Sequence, residues 1–242
     1  MGTINVLSIG NSFSQDAQRY LHNIAKHEGV DMQTVNLFRG GCPLERHYRN
    51  IMGDREDYDL QINGEQAFFR VTVKDALLSR KWDYITIQQA SRDSFNQDEY
   101  FPYITEVVEY VRKMCPKAKI LVHQTWAYAD DSDRLKNIGF EKYDEMFDGV
   151  KKCYGFAAEA INADGIIPCG EALQMALKMG IEKVHSDTAH ASMGVGRFIL
   201  ALTWYKYITK NSIDNINFNL FDEEVTDEEY KIAIKAVNET VK

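Results

Sequence analysis

Short apolar runs that alternate with helix-spaced hydrophobic patterns constrain the fold of this chain more than any other feature. Asn5-Val6-Leu7-Ser8-Ile9 ends in Gly10 and reads as a strand buried on both faces. Ala17, Tyr20, Leu21, Ile24 and Ala25 follow at helical spacings, Gly29 offers a stop, and a second strand is expected over 33–37. The rhythm continues with a strand over 82–87, a helix over 104–114 and a strand over 120–123. A long helical pattern over 140–163, a short strand over 165–168 ending in Pro168, and helices over 193–207 and 228–241 complete it. Such alternation through short connections predicts an α/β fold: a flavodoxin-like parallel sheet of about five strands, with right-handed crossovers, inside a three-layer α/β/α sandwich. One segment breaks the rhythm. Tyr58–Ile62 and Glu65–Val71 are joined by Asn63-Gly64, a strong hairpin signal, and Thr72-x-x-Asp75 then caps a helix, so an inserted β-hairpin is expected. No internal repeat, low-complexity segment or Pro/Gly/Ser linker divides the sequence, and residues 1–242 are read as a single domain.

Charge narrows the partners. Lys and Arg number 28 against 36 Asp and Glu, and the net charge of −8 gives a long-range field that repels phosphate backbones and anionic lipid. Neither nucleic acid nor membrane is expected as a partner. Cys42, Cys115, Cys153 and Cys169 form no Cys-x-x-Cys pair and no zinc-like spacing with histidine, as expected of free thiols in a reducing compartment. No apolar run approaches the ~20 residues that span a bilayer, and no basic, apolar, small-residue leader pattern opens the chain, so it reads as cytoplasmic. Met1-Gly2-Thr3 directly precedes a core strand, which leaves a removed leader open.

In sheets of this kind ligands bind outside the carboxyl ends of the strands. The first strand leads into Gly10-Asn11-Ser12-Phe13-Ser14, which puts the Ser12 hydroxyl at a strand end and a helix start. There, first-turn N–H groups favour developing negative charge, and Ser12 is a candidate nucleophile. The alternative is plain capping, for which serine is a preferred residue. Toward the other end, Asp187 and His190 stand three apart in His185-Ser186-Asp187-Thr188-Ala189-His190. Within one turn that spacing lets the carboxylate meet the imidazole Nδ1–H while Nε2 faces a nucleophile. Two alternatives stay open on spacing alone. One is a polar loop with Ser192 capping the next helix; the other is a metal site of His185, Asp187 and His190, which would need further converging ligands.

Together, the N-terminal Gly-Asn-Ser-Phe-Ser and the C-terminal Asp-Thr-Ala-His resemble the SGNH, or GDSL-type, hydrolase superfamily, in which the nucleophile follows the first strand and Asp-x-x-His lies near the end. Phe38-Arg39-Gly40-Gly41-Cys42-Pro43-Leu44-Glu45 looks like the glycine block of that superfamily. Segments 8–17, 40–45, 82–91, 124–128 and 190–205 are similar to an uncharacterised, mostly bacterial subfamily, and the resemblance spans most of the chain. It implies the SGNH fold and a cofactor-free serine esterase that removes short acyl groups, acetyl foremost, from a hydroxylated compound such as a carbohydrate. Ser12, His190 and Asp187 would form the triad, and the Ser12 and Gly41 N–H groups would join the oxyanion hole. Gly41 has a plainer alternative, a tight turn needing positive φ, which Gly40 could serve instead.

Two departures from the pattern matter. Gly-Asn-Ser replaces Gly-Asp-Ser, at a position outside the triad. Thr86-Ile87-Gln88-Gln89-Ala90-Ser91 also offers no asparagine where the superfamily supplies an oxyanion donor. A glutamine amide has the same donor chemistry, and some carbohydrate acetylesterases of the superfamily are similar in using one. Gln88 is the first choice and Gln89 the second, since strand neighbours point to opposite faces. Trp126 and Tyr128 are read as an aromatic wall of a sugar-sized pocket, with core packing as the alternative. His123 is expected to be buried and hydrogen-bonded, while His22 and His27, five apart on one helix, share no face. Two competing functions are a phosphate-binding protein using the Gly10-to-Ser14 turn, which lacks Gly-x-Gly-x-x-Gly and a Walker lysine, and a non-catalytic carbohydrate-binding domain.

Overall fold

The computed structural model describes residues 2–242. Among them, seven strands form one sheet: β1 (Ile4–Gly10), β2 (Met32–Phe38), β3 (Tyr58–Ile62), β4 (Glu65–Val71), β5 (Tyr84–Ile87), β6 (Lys119–His123) and β7 (Gly165–Ile167). Their order is β4-β3-β2-β1-β5-β6-β7. The β1, β2, β5, β6 and β7 strands run parallel, joined by helices, as the alternation predicts. β1 lies at the centre, and Val6, Leu7, Ser8 and Ile9 are fully buried, which is why its sequence lacks an in–out alternation.

The helices are α1 (Ser12–Gln18), α2 (Leu21–His27), α3 (Leu44–Met52), α4 (Val73–Leu78), α5 (Tyr103–Met114), α6 (Asp133–Asn137), α7 (Tyr143–Ala160), α8 (Cys169–Lys178), α9 (Val195–Thr209) and α10 (Asp227–Thr240). They fall into two packed groups. α1, α2, α8 and α10 surround α9, while α3, α4 and α5 pack on one another and α7 covers β6 and β7. α9 is apolar almost all round, burying Phe198, Ile199, Leu200, Leu202, Trp204 and Tyr205, because it has packed neighbours on nearly every side. Cys42, Cys115, Cys153 and Cys169 are buried and unbridged. Among the described residues no helix is long and apolar enough to cross a membrane.

The five expected parallel strands are present, and the hairpin forms as anticipated and extends their sheet: β3 pairs antiparallel with β2, placing Val35 opposite Ile62 and Asn36 opposite Gln61. With β3 and β4 added, the sheet is mixed and seven-stranded. Without β3, β2 would present an edge of unpaired N–H and C=O groups, and the hairpin removes that liability. Side chains fix the register. Asn36 Nδ2 donates to Gln61 Oε1 at 2.8 Å in the interior, and Asn63 Oδ1 accepts the Thr34 N–H at 2.9 Å. Two helical patterns differ from expectation. The run beginning at Ala17 divides at Arg19–Tyr20 into α1 and α2, and the pattern over 140–163 starts only at Tyr143, after the separate turn of α6. Thr72 caps α4 reciprocally with Asp75, as its spacing predicts.

Asn63 and Gly64 both have positive φ, +55° and +83°, which is the two-residue turn that Asn-Gly favours. Gly64 also packs against the end of α1, where an added Cβ would lie 2.5 Å from the Arg19 carbonyl oxygen. Gly64→Ala is therefore expected to lower stability by about 1–3 kcal/mol through strain and that clash. Urea titration of the two proteins measures it, and an unchanged midpoint would contradict the packing assigned to this turn.

Candidate active site

The carboxyl ends of β1 and β5 flank the point where the chain, having built β2 to β4 on one side of β1, crosses to build β5 to β7 on the other. At the end of β1, Gly10 is required by close approach, since a Cβ there would meet Ser14 Oγ at 2.0 Å. Asn11, not Ser12, caps α1. Its Oδ1 accepts the Phe13 N–H at 3.0 Å, while Ser14 Oγ accepts the Asn11 N–H at 3.1 Å. Ser12 is thereby relieved of capping and occupies the first helical position, with Oγ 2.8 Å from Nε2 of His190.

His190 is held by the turn that begins at Asp187. One Asp187 oxygen accepts the backbone N–H of His190 at 2.8 Å and that of Ala189 at 3.2 Å; the other lies 2.9 Å from His190 Nδ1. A spacing of three works here because a single carboxylate closes the turn and orients the ring. With Nδ1 as donor to Asp187, Nε2 is left to accept the Ser12 hydroxyl proton. Thr188 sits between them at φ +70°, a strained conformation for a β-branched residue. It is held there by its carbonyl, which accepts the Ala129 N–H at 2.8 Å, and by its hydroxyl, 3.0 Å from Ser132 Oγ.

Partial burial disfavours an ionised Asp187, but the hydrogen bonds from the His190 N–H and imidazole and from the Ala189 N–H outweigh it and hold the carboxyl well below the usual carboxylate range. Asp187 thus stays ionised down to strongly acidic pH. A second carboxylate, Asp16, lies in the interior, where it accepts the Ala191 N–H at 3.0 Å and pairs with Arg197 at 2.9 Å. Burial pushes its carboxyl up, with Arg197 and the Ala191 N–H opposing. Asp16 carries no motif that marks it in the sequence; its position four residues after Ser12 is the one signal, since it puts both on a shared helix face.

A cleft of about 430 Å³ opens over Ser12 and His190. Gly41 lines it at φ +58°, so Gly41 itself, and not Gly40, takes the left-handed turn. Tyr128 also lines it, with its hydroxyl 2.9 Å from Ser91 Oγ. Trp126 does not. It is fully buried, stacked on Phe13 at 4.1 Å, and its indole N–H donates to the Ala189 carbonyl at 2.8 Å. The expected pocket wall is therefore a buttress behind the Ser12 turn and the His190 loop, because its ring has a stacking partner and its N–H an acceptor in the interior.

Gln88 also departs from expectation. Its amide nitrogen donates to Asn11 Oδ1 at 2.7 Å and its oxygen lies 2.6 Å from Nδ1 of His123, so the side chain is engaged in the interior and does not reach the cleft. Gln89 is engaged elsewhere, accepting the Leu44 and Ala90 N–H groups and donating to the Glu99 carbonyl. Both faces at the end of β5 are interior, so alternation turns neither amide toward the cleft. His123 is buried and bonded to Gln88, and burial pulls its pKa down to about 3, which keeps it neutral. His185 is buried with Nε2 2.9 Å from the Ala127 carbonyl, so it does not converge with Asp187 and His190. Among the described residues no group of three or more His, Cys, Asp or Glu is arranged to hold a metal ion. Arg92, Arg134 and Asn137 line the cleft and were missed, since they stand in stretches without periodicity or motif.

Residues 5–240 match a family model described as "Domain of unknown function (DUF4886)". Among solved structures, the chain is similar to a DUF4886 family protein from Bacteroides uniformis, with 34% identity over 99% of this chain and 95% of that one and a TM-score of 0.92. It is also similar to a proposed SGNH hydrolase of Slackia heliotrinireducens, with 19% identity, 86% and 100% coverage and a TM-score of 0.63. A variant of an acetylxylan esterase from Geobacillus stearothermophilus matches with 16% identity, 86% and 96% coverage and a TM-score of 0.54. The fold is that of the SGNH hydrolases. A search of the curated proteins finds no match to the chain.

The bonds of Gln88 make a prediction. Gln88→Ala would leave Asn11 Oδ1 short of a donor and His123 Nδ1 without a partner, with an expected loss of about 1–3 kcal/mol. The melting temperature should fall accordingly. A variant that melts like the parent but whose turnover falls about 10²-fold would instead make Gln88 an oxyanion donor.

Proposed function

This chain belongs to the DUF4886 family, and from the geometry of its cleft we propose that it is a serine esterase that removes short acyl groups from a hydroxylated substrate such as a carbohydrate. The observation that carries this reading is the His190 imidazole, set 2.8 Å from Ser12 Oγ on one side and 2.9 Å from an ionised Asp187 on the other. In the proposed reaction, Ser12 Oγ attacks the ester carbonyl as its proton passes to His190 Nε2, and Asp187 stabilises the imidazolium. The oxyanion is received by the N–H groups of Ser12 and Gly41. Neither has a hydrogen-bond acceptor among the described residues, and Ser12, as first helical residue, has none within α1. His190 then returns the proton to the leaving alcohol. A water activated by the same nitrogen releases the acid from Ser12.

The cleft suits a small acyl group. Phe13, Ala90, Ile138 and Ala189 supply apolar lining, while Tyr128 and Asn137 supply polar groups for the alcohol side. Esterases that share the fold, an acetylxylan esterase among them, favour the same reading. The phosphate-binding alternative finds less support, because the Asn11 and Phe13 N–H groups of the turn already donate to Ser14 Oγ and Asn11 Oδ1.

Purified protein should hydrolyse p-nitrophenyl acetate and be labelled at Ser12 by a fluorophosphonate. Ser12→Ala should retain less than about 1% of the turnover number, and labelling at another residue would overturn the assignment. Asp187→Asn should lower turnover by about 10²-fold or more by disturbing the imidazole tautomer. Because its bonds to His190 and Ala189 hold Asp187 below the usual carboxylate range, the pH–rate profile should show no inflection from it near pH ~4, where an ordinary aspartate titrates; one there would contradict its lowered pKa.

A further inference from the structure

Beside the Ser12 cleft lies a second cavity, of about 580 Å³, lined by Arg46, Arg49, Arg55 and Arg92 with Glu45 as its one acidic residue. The two cavities are contiguous: Gly41 and Arg92 line both. Arg134 adds another cation to the wall of the first. This concentration stands out in a chain whose net charge is −8. The charges there are not internally balanced. Arg39 and Arg46 share Asp57, Arg49 pairs with Glu45, and Arg92 with Asp93, whereas Arg55 has no carboxylate within 4.0 Å among the described residues. Five arginines thus meet three carboxylates, and every cation lining the second cavity is arginine, whose planar fork matches the paired oxygens of a carboxylate or sulfate better than lysine does. Arg92 also ties the cationic wall to the oxyanion region, donating to the Gly41 carbonyl at 3.3 Å.

We propose that the substrate is an acyl ester of an acidic sugar, whose carboxylate or sulfate group is held in the arginine-lined cavity while the ester lies over Ser12. This inference rests on the esterase reading above. Attraction between a mostly exposed arginine cluster and an anion is long-ranged in dilute buffer and screened by salt, so it should act on substrate capture more than on turnover.

The test measures acetate release from an acetylated oligogalacturonide and from the same oligomer with its carboxylates methyl-esterified, which removes the charge and keeps the acetyl groups. For the parent protein, kcat/KM is expected to be at least about tenfold higher on the acidic form, and the ratio should shrink in 0.5 M NaCl, roughly at a 4 Å screening length. In the double variant Arg49→Gln with Arg55→Gln the ratio should approach one, chiefly through KM. Free digalacturonate and a sulfated disaccharide, tested as competitors, tell which anion the cavity prefers. A protein that hydrolyses p-nitrophenyl acetate but treats the two oligomers alike, or a double variant that keeps the preference, overturns the inference and leaves the esterase reading standing. A protein that neither hydrolyses any ester nor takes the fluorophosphonate overturns the esterase reading instead. Calorimetric titration with digalacturonate then still reads the cavity: binding lost in the double variant supports it, and no binding to the parent overturns it.

Discussion

Buried Asp16, paired with the partly buried Arg197, holds the two halves of the site together. Asp16 stands four residues after Ser12 on α1, and its other oxygen holds the Ala191 N–H, the residue next to His190. One helix therefore presents the hydroxyl and clamps the loop that carries the imidazole, although the two lie 178 positions apart in sequence. Taking such a pair out of water offsets much of its Coulomb attraction, so its net contribution to stability is small; losing one partner, however, costs about 3–5 kcal/mol. Its value is positional. The network continues outward, because Arg197 also donates to Asp222 at 3.0 Å, and Asp222 is paired with Arg19 at 2.7 Å. Arg19 in turn donates to the carbonyl of Gly64 at 3.3 Å. The hairpin turn, the segments that carry Ser12 and His190 and the stretch leading to α10 are thus tied through four charged side chains, Asp16, Arg197, Asp222 and Arg19.

What could be read from the sequence follows from what is local. The parallel core was legible because each strand is a short apolar run and each crossover a helical pattern, and the Asn63-Gly64 turn because only a few residue types take two positive φ values in succession. The proximity of Asp187 and His190 was legible for the same reason: both lie in one turn. Contacts between distant segments were not legible. Nothing near Asn63 says that β3 lies against β2, since the pairing is decided by an edge that exists only once the sheet is built. Nor does a tryptophan carry a mark for pocket or buttress, and Trp126 becomes the latter because Phe13, 113 residues away in sequence, offers a ring to stack on. The resemblance to SGNH hydrolases located the cleft, but the fate of Gln88 required seeing that Asn11 and His123 are its neighbours.

In the proposed reading, chemistry and selectivity come from different parts of the chain. Ser12 opens α1, and Asp187 and His190 share one turn, whereas the cationic walls come from the stretch after β2, the turn after β5 and the segment around α6. Arg134 shows how the two can coexist. It lies 3.8 Å from Asp187 Oδ2, close enough in principle to draw that carboxylate from the imidazole. With about half of its side chain in solvent, the pair contributes no more than about 1 kcal/mol, while a charge-assisted hydrogen bond such as the one to His190 contributes about 1.5–3 kcal/mol. The two Asp187 N–H contacts add to the same side, so the carboxylate stays with His190. Arg134 is left loosely held at the rim, so that in the proposed reading an arriving anion draws on it while Asp187 stays with His190.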